Sequence, residues 1–521
     1  MAHFREVLYL PFEGDKICTI SARPQERGRY PTVVLRSPYE TEHENDTDEE
    51  LADWLVREYG KWLDAGYAVV FQHSRGTGKS TGESFPVIFE RETSLREYDW
   101  VRRQPFYNGE IYLLGGSYTA YVHYAAAPYG DDVRSACLEA SDCELYNWHY
   151  LNGFYKANLY GDWQVLQYRK KAGLTKNYTR DSFRILPMTD YTRSVFGERI
   201  EDYDEILLHP DKSDPFWNTH FGGAESRDAL KSVKFPVLIT TGFFDVFASG
   251  IFKMWEDMDP ETKARSAFII HAYHHGGNSD EQPYCFSPAA TLEERFPDFD
   301  LRWMNYVRGL GEPPVEPGKA TYYELFSEDG WKTDDLPEPG RSSTFTLGGG
   351  ERSYVYDPAD PTPAARGLSH CFGGTYFLDP PGSREDVLSF YTPPFGEDVH
   401  AGGGMDVRLK VRSDCLDTCF YVRVAIEKPE GDFVLRDGIT QISNVCPDYV
   451  PGDAAELDFP LDLCRFVIRK GERLRVDVSS AAFPQYVPHT NNRGLFSVQT
   501  SSRPATNTVL CDESTLTVKY Y

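Results

Sequence analysis

The chain lacks an excess of positive charge. It has 54 Lys and Arg against 80 Asp and Glu, a formal net charge of −26 over 521 residues. Nucleic-acid binding is driven by Lys and Arg that neutralise phosphates, so this balance argues against a nucleic-acid partner and against docking on an anionic membrane. No apolar run approaches the ~18 residues that a membrane-spanning helix requires. The acidity is most simply explained by solubility.

Neither the pattern of a leader segment nor a metal-type cysteine spacing is recognisable in the sequence. The start, "MAHFREVLYLPFEGDK", has no basic segment followed by a long apolar run, so no signal peptide is predicted. The ten cysteines show no C-x-x-C spacing, and the closest pair is Cys415 and Cys419. We therefore expect reduced thiols, a cytoplasmic location, no cofactor and no metal.

The first 140 residues alternate strand-like and helix-like segments. "YPTVVLRSPY", "YAVVFQHS" and "GEIYLLGGS" are apolar strands, and "REYDWVRRQ" and "YTAYVHYAAA" are helical. "EELADWLVREYGKWLDAG" spaces its apolar residues three and four apart, which predicts one helix that ends at its final glycine. Repeated strand-then-helix order predicts an α/β fold, a mainly parallel sheet with helices on both faces.

Changes of pattern divide the chain into three parts. From 141 to 231 the sequence is aromatic and lacks strand alternation, which predicts an inserted helical cap. The α/β pattern returns in "FPVLITTGFFDVF" and "SAFIIHAYHHGGN", so 1–140 and 232–336 form the predicted catalytic domain. Beyond the Pro/Gly-rich "DDLPEPGRSS", short alternating segments over 341–521 predict a C-terminal all-β sandwich.

Ser117 stands at the turn of the strand–turn–helix segment "IYLLGGSYTAYVHYAAA". A nucleophile elbow holds its serine on such a turn and needs small neighbours, which Gly115 and Gly116 supply. The general G-x-S-x-G pattern also asks for glycine where Thr119 stands. Taken alone, the tripeptide is equally compatible with an ordinary helix N-cap serine.

Two further residues complete a triad in the chain order serine, acid, histidine. Asp245 follows one predicted strand and His275 follows the next, so both belong at the carboxyl edge of one sheet. The acid orients the imidazole, which activates the serine. His271 and His274 compete with His275 as the base, and a metal site on H-x-x-H-H is an alternative that lacks the helical H-E-x-x-H context.

The stretch "RGTGKSTGE" contains the end of a phosphate-binding P-loop, G-K-S-T. The P-loop motif requires a glycine five residues before Gly78, and His73 stands there instead. The sequence therefore does not predict nucleotide binding at this loop.

The chain resembles the cocaine-esterase-like and Xaa-Pro dipeptidyl-peptidase-like serine hydrolases, a group that includes α-amino acid ester hydrolases. The resemblance extends over nearly the whole chain, through "VVLRSPYE", "GYAVVFQHSRGTGKSTGESF", "GGSYTAY", "HPDKSDPFW", "VLITTGFFDVF" and "HAYHHGGN". It implies an α/β-hydrolase fold with an inserted cap and a jelly-roll-like β domain that helps wall the active-site cleft. It also implies Ser117 as nucleophile, His275 as base and Asp245 as acid, and an oxyanion hole of Tyr39 and the backbone N–H of Tyr118.

The chain departs from the family pattern near the proposed chemistry. Ala120 replaces a glycine, His73 an aspartate, Phe243-Phe244 a Trp-Tyr pair and Val246 a glycine, and His271-Ala272 replaces Gly-Pro. These changes leave the substrate open. Bulky apolar groups are expected to contact aromatic side chains, and a free ammonium to contact carboxylates; the candidates are Trp148, Phe154, Phe244, Asp142 and Glu144.

The expected substrate is a small ester or amide, or a short peptide, cleaved through a Ser117 acyl-enzyme. An acyltransferase that uses the same triad stays open, as does a catalytically inactive ligand-binding homologue. A homodimer is compatible with the sequence and is not specified by it.

Overall fold

The computed structural model describes residues 3–39, 43–84, 87–161, 163, 179–219, 226–276, 284, 286–328, 330–364 and 374–521. Its first sheet has ten strands within these ranges. They are β1 Phe4–Phe12, β2 Asp15–Arg23, β3 Tyr30–Ser37, β4 Ala68–His73, β5 Tyr107–Gly116, β6 Val133–Glu139, β9 Val237–Gly242, β10 Ala267–His271, β11 Ala320–Tyr323 and β12 Trp331–Asp334. A separate hairpin pairs β7 Tyr150–Leu151 with β8 Phe154–Tyr155.

The spatial order of the first sheet is β1-β2-β4-β3-β5-β6-β9-β10-β11-β12. The six central pairings, from β4-β3 to β10-β11, are parallel, and the outer strands pair antiparallel. Every residue of β4, β9 and β10 is buried, as expected of parallel strands covered on both faces. The predicted mainly parallel α/β sheet is confirmed.

Helices cover both faces of the sheet. Within the described ranges they are α1 Asp48–Glu58, α2 Gly60–Asp64, α3 Glu90–Arg102, α4 Tyr118–Tyr124, α5 Leu145–His149, α6 Tyr191–Phe196, α7 Glu201–Ile206, α8 Phe216–Thr219, α9 Ala229–Ser232, α10 Ala248–Asp257, α11 Pro260–Lys263, α12 Leu292–Arg295 and α13 Phe299–Val307. One core cluster unites α1, α2 and α13 against the sheet. A second contains α3, α4 and α10 and continues into the sandwich.

The single helix predicted over "EELADWLVREYGKWLDAG" is two helices. Thr47 caps α1 with a reciprocal bond to Glu50, and α1 ends at Glu58. Tyr59 then has φ −109° and ψ 20°, outside the helical region, and α2 starts at Gly60. The apolar spacing is still meaningful, because Leu51, Leu55 and Leu63 are all buried. The same helical spacing of buried leucines therefore continues across the break at Tyr59.

Between β6 and β9 the described chain consists of α5 to α9, the β7–β8 hairpin and shorter helical turns. Part of the predicted cap, including 164–178 and 220–225, lies outside the described residues. The limits 141 and 231 therefore stay predictions. Among the described residues, no helix combines the length and apolarity needed to cross a membrane.

The C-terminal part is an antiparallel β sandwich, as predicted. One sheet contains β13 Arg341–Thr346, β14 Glu351–Tyr356, β16 Val399–Ser413, β19 Ala455–Leu461, β20 Phe466–Ile468, β22 Ala505–Leu510 and β23 Thr515–Tyr520; the other contains β15 Leu388–Tyr391, β17 Cys419–Lys428, β18 Gly431–Gln441 and β21 Leu474–Ser479. β18 is the edge strand of the second sheet. Its Phe433 packs edge-on against Phe244, so the sandwich contacts the loop after β9.

Candidate active site

Ser117 occupies a strained turn between β5 and α4. Its φ of 56° and ψ of −126° lie in a region that non-glycine residues rarely adopt. The turn is held from both sides, because the Ser117 N–H donates to Glu139 O at 2.9 Å and the Gly116 N–H donates to Thr119 Oγ1 at 2.7 Å. A Cβ on Gly115 would lie 2.2 Å from Thr119 O, so only glycine fits there. The result is a partly exposed serine on a rigid elbow.

The threonine at the position where the general motif has glycine takes part in this turn. Its hydroxyl also donates to Gly116 O at 2.6 Å. Thr119 therefore closes the turn by side-chain hydrogen bonds, and the departure from G-x-S-x-G is compatible with the elbow.

Asp245 and His275 form a buried pair at the carboxyl ends of β9 and β10. Nδ1 of His275 lies 3.1 Å from Oδ2 and 3.2 Å from Oδ1 of Asp245. The Asp245 side chain is fully buried and that of His275 is 9% exposed. The Phe247 N–H donates to Asp245 Oδ1 at 2.8 Å, which fixes the carboxylate, and the Phe247 ring lies 5.4 Å from the imidazole. Such a carboxylate sets the tautomer of its imidazole.

The three histidines of "HAYHH" have different surroundings. His271 is buried and accepts from the Tyr273 N–H at 3.3 Å; burial lowers its pKa to about 4. His274 is buried and accepts from the Gly276 N–H at 3.1 Å. His275 is the one whose described contacts include the Asp245 carboxylate, so the geometry favours it as the base.

The two predicted oxyanion donors lie near each other. Tyr39 follows β3, and its ring meets that of Tyr118 edge-on at 6.3 Å between centroids. β3 and β5 are adjacent parallel strands, so Tyr39 and the elbow stand at the same edge of the sheet. The N–H of Tyr118 is in the first turn of α4 beside Ser117. The oxyanion role of both residues stays a prediction.

A buried charge network lies beneath the elbow, and sequence reasoning missed it. Tyr118 Oη donates to Glu90 Oε1 at 2.7 Å and accepts from the Val87 N–H at 2.8 Å. Arg36 is fully buried and lies 3.3 Å from Glu90 Oε2 and 2.9 Å from Glu97 Oε2. The signal in the sequence was two glutamates seven residues apart on α3, which places them on one helical face.

The loop "RGTGKSTGE" is occupied by its own contacts. Lys79 Nζ lies 2.6 Å from Asp48 Oδ1, and Ser80 Oγ donates to His73 O at 3.0 Å. The Lys79 N–H donates to His73 Nδ1 at 3.0 Å, and burial lowers the pKa of His73 to about 4. His73 is therefore a neutral anchor for the loop. The two side chains that a phosphate would require are already engaged.

A cavity of about 490 Å³ lies between the segment after β6, the loop after β9 and the sandwich. Asp142, Glu144, Phe244 and Asp245 line it, whereas Ser117 and His275 do not. Asp142 is buried and accepts from the Glu144 N–H at 2.8 Å and Asn147 Nδ2 at 2.7 Å; burial raises its pKa to about 6. Glu144 lies 2.7 Å from Lys212.

The other predicted substrate contacts are buried in packing. Trp148 donates from Nε1 to Asp142 O at 2.8 Å and packs on Tyr121 and Phe247. Phe154 packs against Tyr486 of the sandwich. Of the five candidates, Phe244, Asp142 and Glu144 face the cavity; a substrate-binding role stays a prediction for all five.

No group of three or more His, Cys, Asp or Glu side chains within the described ranges is arranged to hold a metal ion.

Both main parts of the chain are similar to known protein families. Residues 13–277 match the X-Pro dipeptidyl-peptidase (S15) family, and residues 315–517 match the X-Pro dipeptidyl-peptidase C-terminal non-catalytic domain. The chain is 24% identical over 539 residues to cocaine esterase from Rhodococcus sp. (strain MB1 Bresler), covering 93% of this chain and 91% of that protein.

Solved structures share the fold over the full length. An aminopeptidase from the marine sediment archaeon Thaumarchaeota archaeon superposes with a TM-score of 0.82 at 19% identity, covering 100% of this chain and 96% of that one. An α-amino acid ester hydrolase superposes with a TM-score of 0.81 at 18% identity, covering 100% of this chain and 97% of that one. For a CocE/NonD family hydrolase from Staphylococcus aureus the TM-score is 0.66 at 14% identity, and the match covers 100% of this chain and 94% of that one.

Proposed function

The chain belongs to the X-Pro dipeptidyl-peptidase (S15) family of serine hydrolases, and we propose that Ser117, His275 and Asp245 carry out its reaction. The observation that carries the proposal is the buried Asp245–His275 pair, 3.1 Å apart, at the sheet edge that also holds the strained Ser117 turn. An imidazole oriented by a buried carboxylate is what a serine requires to become a nucleophile.

The reaction is transfer of an acyl group to water. Ser117 Oγ attacks the substrate carbonyl carbon while its proton passes to His275 Nε2, and Nδ1–H of His275 keeps its bond to Asp245. The resulting oxyanion accepts from the Tyr118 N–H and the Tyr39 hydroxyl. The carbon–heteroatom bond then breaks, and the leaving alcohol or amine takes the proton from His275. Water repeats the sequence on the acyl-enzyme and restores Ser117.

The substrate class is an ester or amide with a bulky apolar acyl or aminoacyl group. The names of the similar proteins denote an esterase, an amino acid ester hydrolase and an aminopeptidase, which act on bonds of these two kinds. Aromatic side chains surround the loop that carries the acid: Phe243, Phe244 and Phe247. Apolar groups gain roughly 25 cal/mol per Å² on burial against such surfaces.

Labelling with a small fluorophosphonate tests the nucleophile. We expect intact mass to show one adduct on the wild type and none on Ser117→Ala. Ser213→Ala, which removes an exposed serine, is the matched control and keeps the adduct. His275→Ala slows labelling and turnover by roughly 10³-fold or more, because the general base is lost.

An adduct that persists on Ser117→Ala contradicts the proposal. A folded wild type that never reacts and never turns over favours the inactive homologue instead. Product analysis with an added amine distinguishes hydrolysis from acyl transfer, since an acyltransferase yields the amide in preference to the acid.

A further inference from the structure

The cavity beside the acid loop contains charged groups that the proposed reaction does not use. Lys156 and Arg436 line it together with Asp437, and Asp462 stands exposed at its rim. Cap, catalytic domain and sandwich each contribute to its wall. Its volume, about 490 Å³, lies within the range of about 300–1,000 Å³ typical of small-molecule sites.

Among the described residues, neither cation forms an ion pair with a carboxylate. Lys156 donates from Nζ to Asn147 O at 2.6 Å. Arg436 is 8% exposed, donates from Nη1 to Leu435 O at 2.8 Å and from Nη2 to Leu463 O, and its buried Nε has no acceptor in the described part of the chain. Neither side chain lies within 4.0 Å of a described carboxylate oxygen.

The carboxylate of Asp437 is likewise held by neutral donors. Its Oδ2 accepts from Tyr421 Oη at 2.6 Å and from Gln485 Nε2 at 2.8 Å. Asp462 accepts from the hydroxyl of Ser249. Asp437, Asp462 and Asp142 nevertheless lie close enough to raise the pKa of Lys156, while burial, the larger effect, lowers it to about 8.

Opposite charges in one cavity, set apart from each other, suit a ligand that carries both. Unpaired charges in a partly desolvated site are costly, and a ligand that completes them gains affinity. The remaining wall is apolar and aromatic, with Phe243, Phe244, Tyr376 and Tyr486. Two other lysines of the cavity wall already have carboxylate partners: Lys212 lies 2.7 Å from Glu144, and Lys253 lies 2.7 Å from Asp257.

We propose that this cavity is a binding site for a zwitterionic α-amino acid with an apolar side chain, with its carboxylate at Lys156 and Arg436 and its ammonium at Asp437. Asp245 and its loop, 243–246, line the site, whereas Ser117 and His275 do not. A free α-amino acid has no ester or amide bond to cleave, so the molecule bound here does not react. It does not depend on the proposed acyl-enzyme chemistry.

Calorimetric titration of full-length Ser117→Ala with L-phenylalanine tests the site without turnover. We expect saturable one-to-one binding. Phenethylamine lacks the carboxylate and 3-phenylpropionate lacks the ammonium, and each binds at least about tenfold more weakly because one charged hydrogen-bonding group is lost. The titration uses Ser117→Ala and measures binding, whereas the labelling experiment measures the reactivity of Ser117. A negative result in one experiment therefore contradicts only the proposal that it tests.

Substitutions locate the binding. Lys156→Met and Asp437→Asn, each placed on Ser117→Ala, weaken L-phenylalanine binding at least about tenfold. Lys253→Met is the matched control, a lysine of the same cavity wall with its own partner, and leaves binding unchanged. Asp437→Asn retains a carbonyl oxygen for Tyr421 and Gln485, so it preserves the test if Lys156→Met does not fold. Absence of saturable binding, equal binding of either analogue, or binding unaffected by the folded variants overturns the proposal.

Discussion

Two groups of charged side chains flank the proposed active site, one buried and one partly buried, and they are built differently. Beneath the elbow, the single guanidinium of Arg36 lies within 3.3 Å of both Glu90 and Glu97. In the cavity behind the acid loop, Lys156 and Asp437 are held by neutral partners and stand apart. Closed ion pairs hold a structure together, whereas unpaired charges facing a space are available to a ligand. The comparison makes different predictions for the two regions.

The largest expected effect is on Arg36. Arg36→Met leaves the buried side chains of Glu90 and Glu97 without their cation, which costs about 3–5 kcal/mol of unfolding free energy. Denaturant unfolding measures this loss. The control is Lys253→Met, which breaks the exposed ion pair with Asp257 and changes the free energy of unfolding by less than about 1 kcal/mol. A loss from Arg36→Met as small as that of the control would falsify the view that this network is a structural support.

Tyr118→Phe tests whether the network also positions the oxyanion donor. The variant leaves Glu90 and the Val87 N–H without their shared hydroxyl partner, and we expect a loss of about 1–3 kcal/mol in stability. We also expect kcat to fall roughly tenfold with KM nearly unchanged, because the Tyr118 N–H acts in the transition state. Tyr129→Phe removes a comparable hydroxyl that donates to His123 O on the same helix. Equal kinetics for the two variants would show that the bond from Tyr118 to Glu90 is structural only.

Glu97 makes the stability contributed by the Arg36 network depend on pH. One guanidinium cannot balance two carboxylates, and burial raises the pKa of Glu97 to about 8 from 4.5. The folded protein thus keeps a proton that the unfolded chain releases, so stability falls as the pH rises from 4.5 to 8. Glu97→Gln mimics the protonated form. We expect the variant to lose less unfolding free energy than the wild type between pH 4.5 and 8, by about 1 kcal/mol or more. Parallel curves for wild type and variant from thermal unfolding would contradict the shift.

The smallest effect is expected in the cavity. Lys156→Met leaves no carboxylate of an ion pair behind, so stability changes by less than about 1 kcal/mol, in either direction. Denaturant unfolding of Lys156→Met and Arg36→Met under the same conditions compares their stabilities directly, since both variants replace an inward-facing cation by methionine. A loss of about 3 kcal/mol or more would mean that Lys156 is a structural cation, and the distinction between the two regions would fail.

Much of the fold was readable from local pattern. Parallel strands such as β4, β9 and β10 are mainly apolar, and the ends of β5, β9 and β10 place Ser117, Asp245 and His275 at one sheet edge. The predicted helix over 49–66 was wrong in its continuity, because periodicity detects a buried face and not a break at Tyr59 and Gly60. The N-terminal β1–β2 hairpin was missed, because its register is set by pairing across the sheet.

The sequence by itself determined the class of the protein and the residues of the proposed chemistry. Strand-then-helix order, the glycines before Ser117 and the family motifs are local, and each residue's role follows from the element that it terminates. Only the tertiary structure decided which histidine meets Asp245, that Glu90 holds Tyr118, and that Lys156 and Asp437 face one cavity. Those are contacts between segments far apart in the chain, and whether a buried charge is paired or open depends on which of them packing brings together.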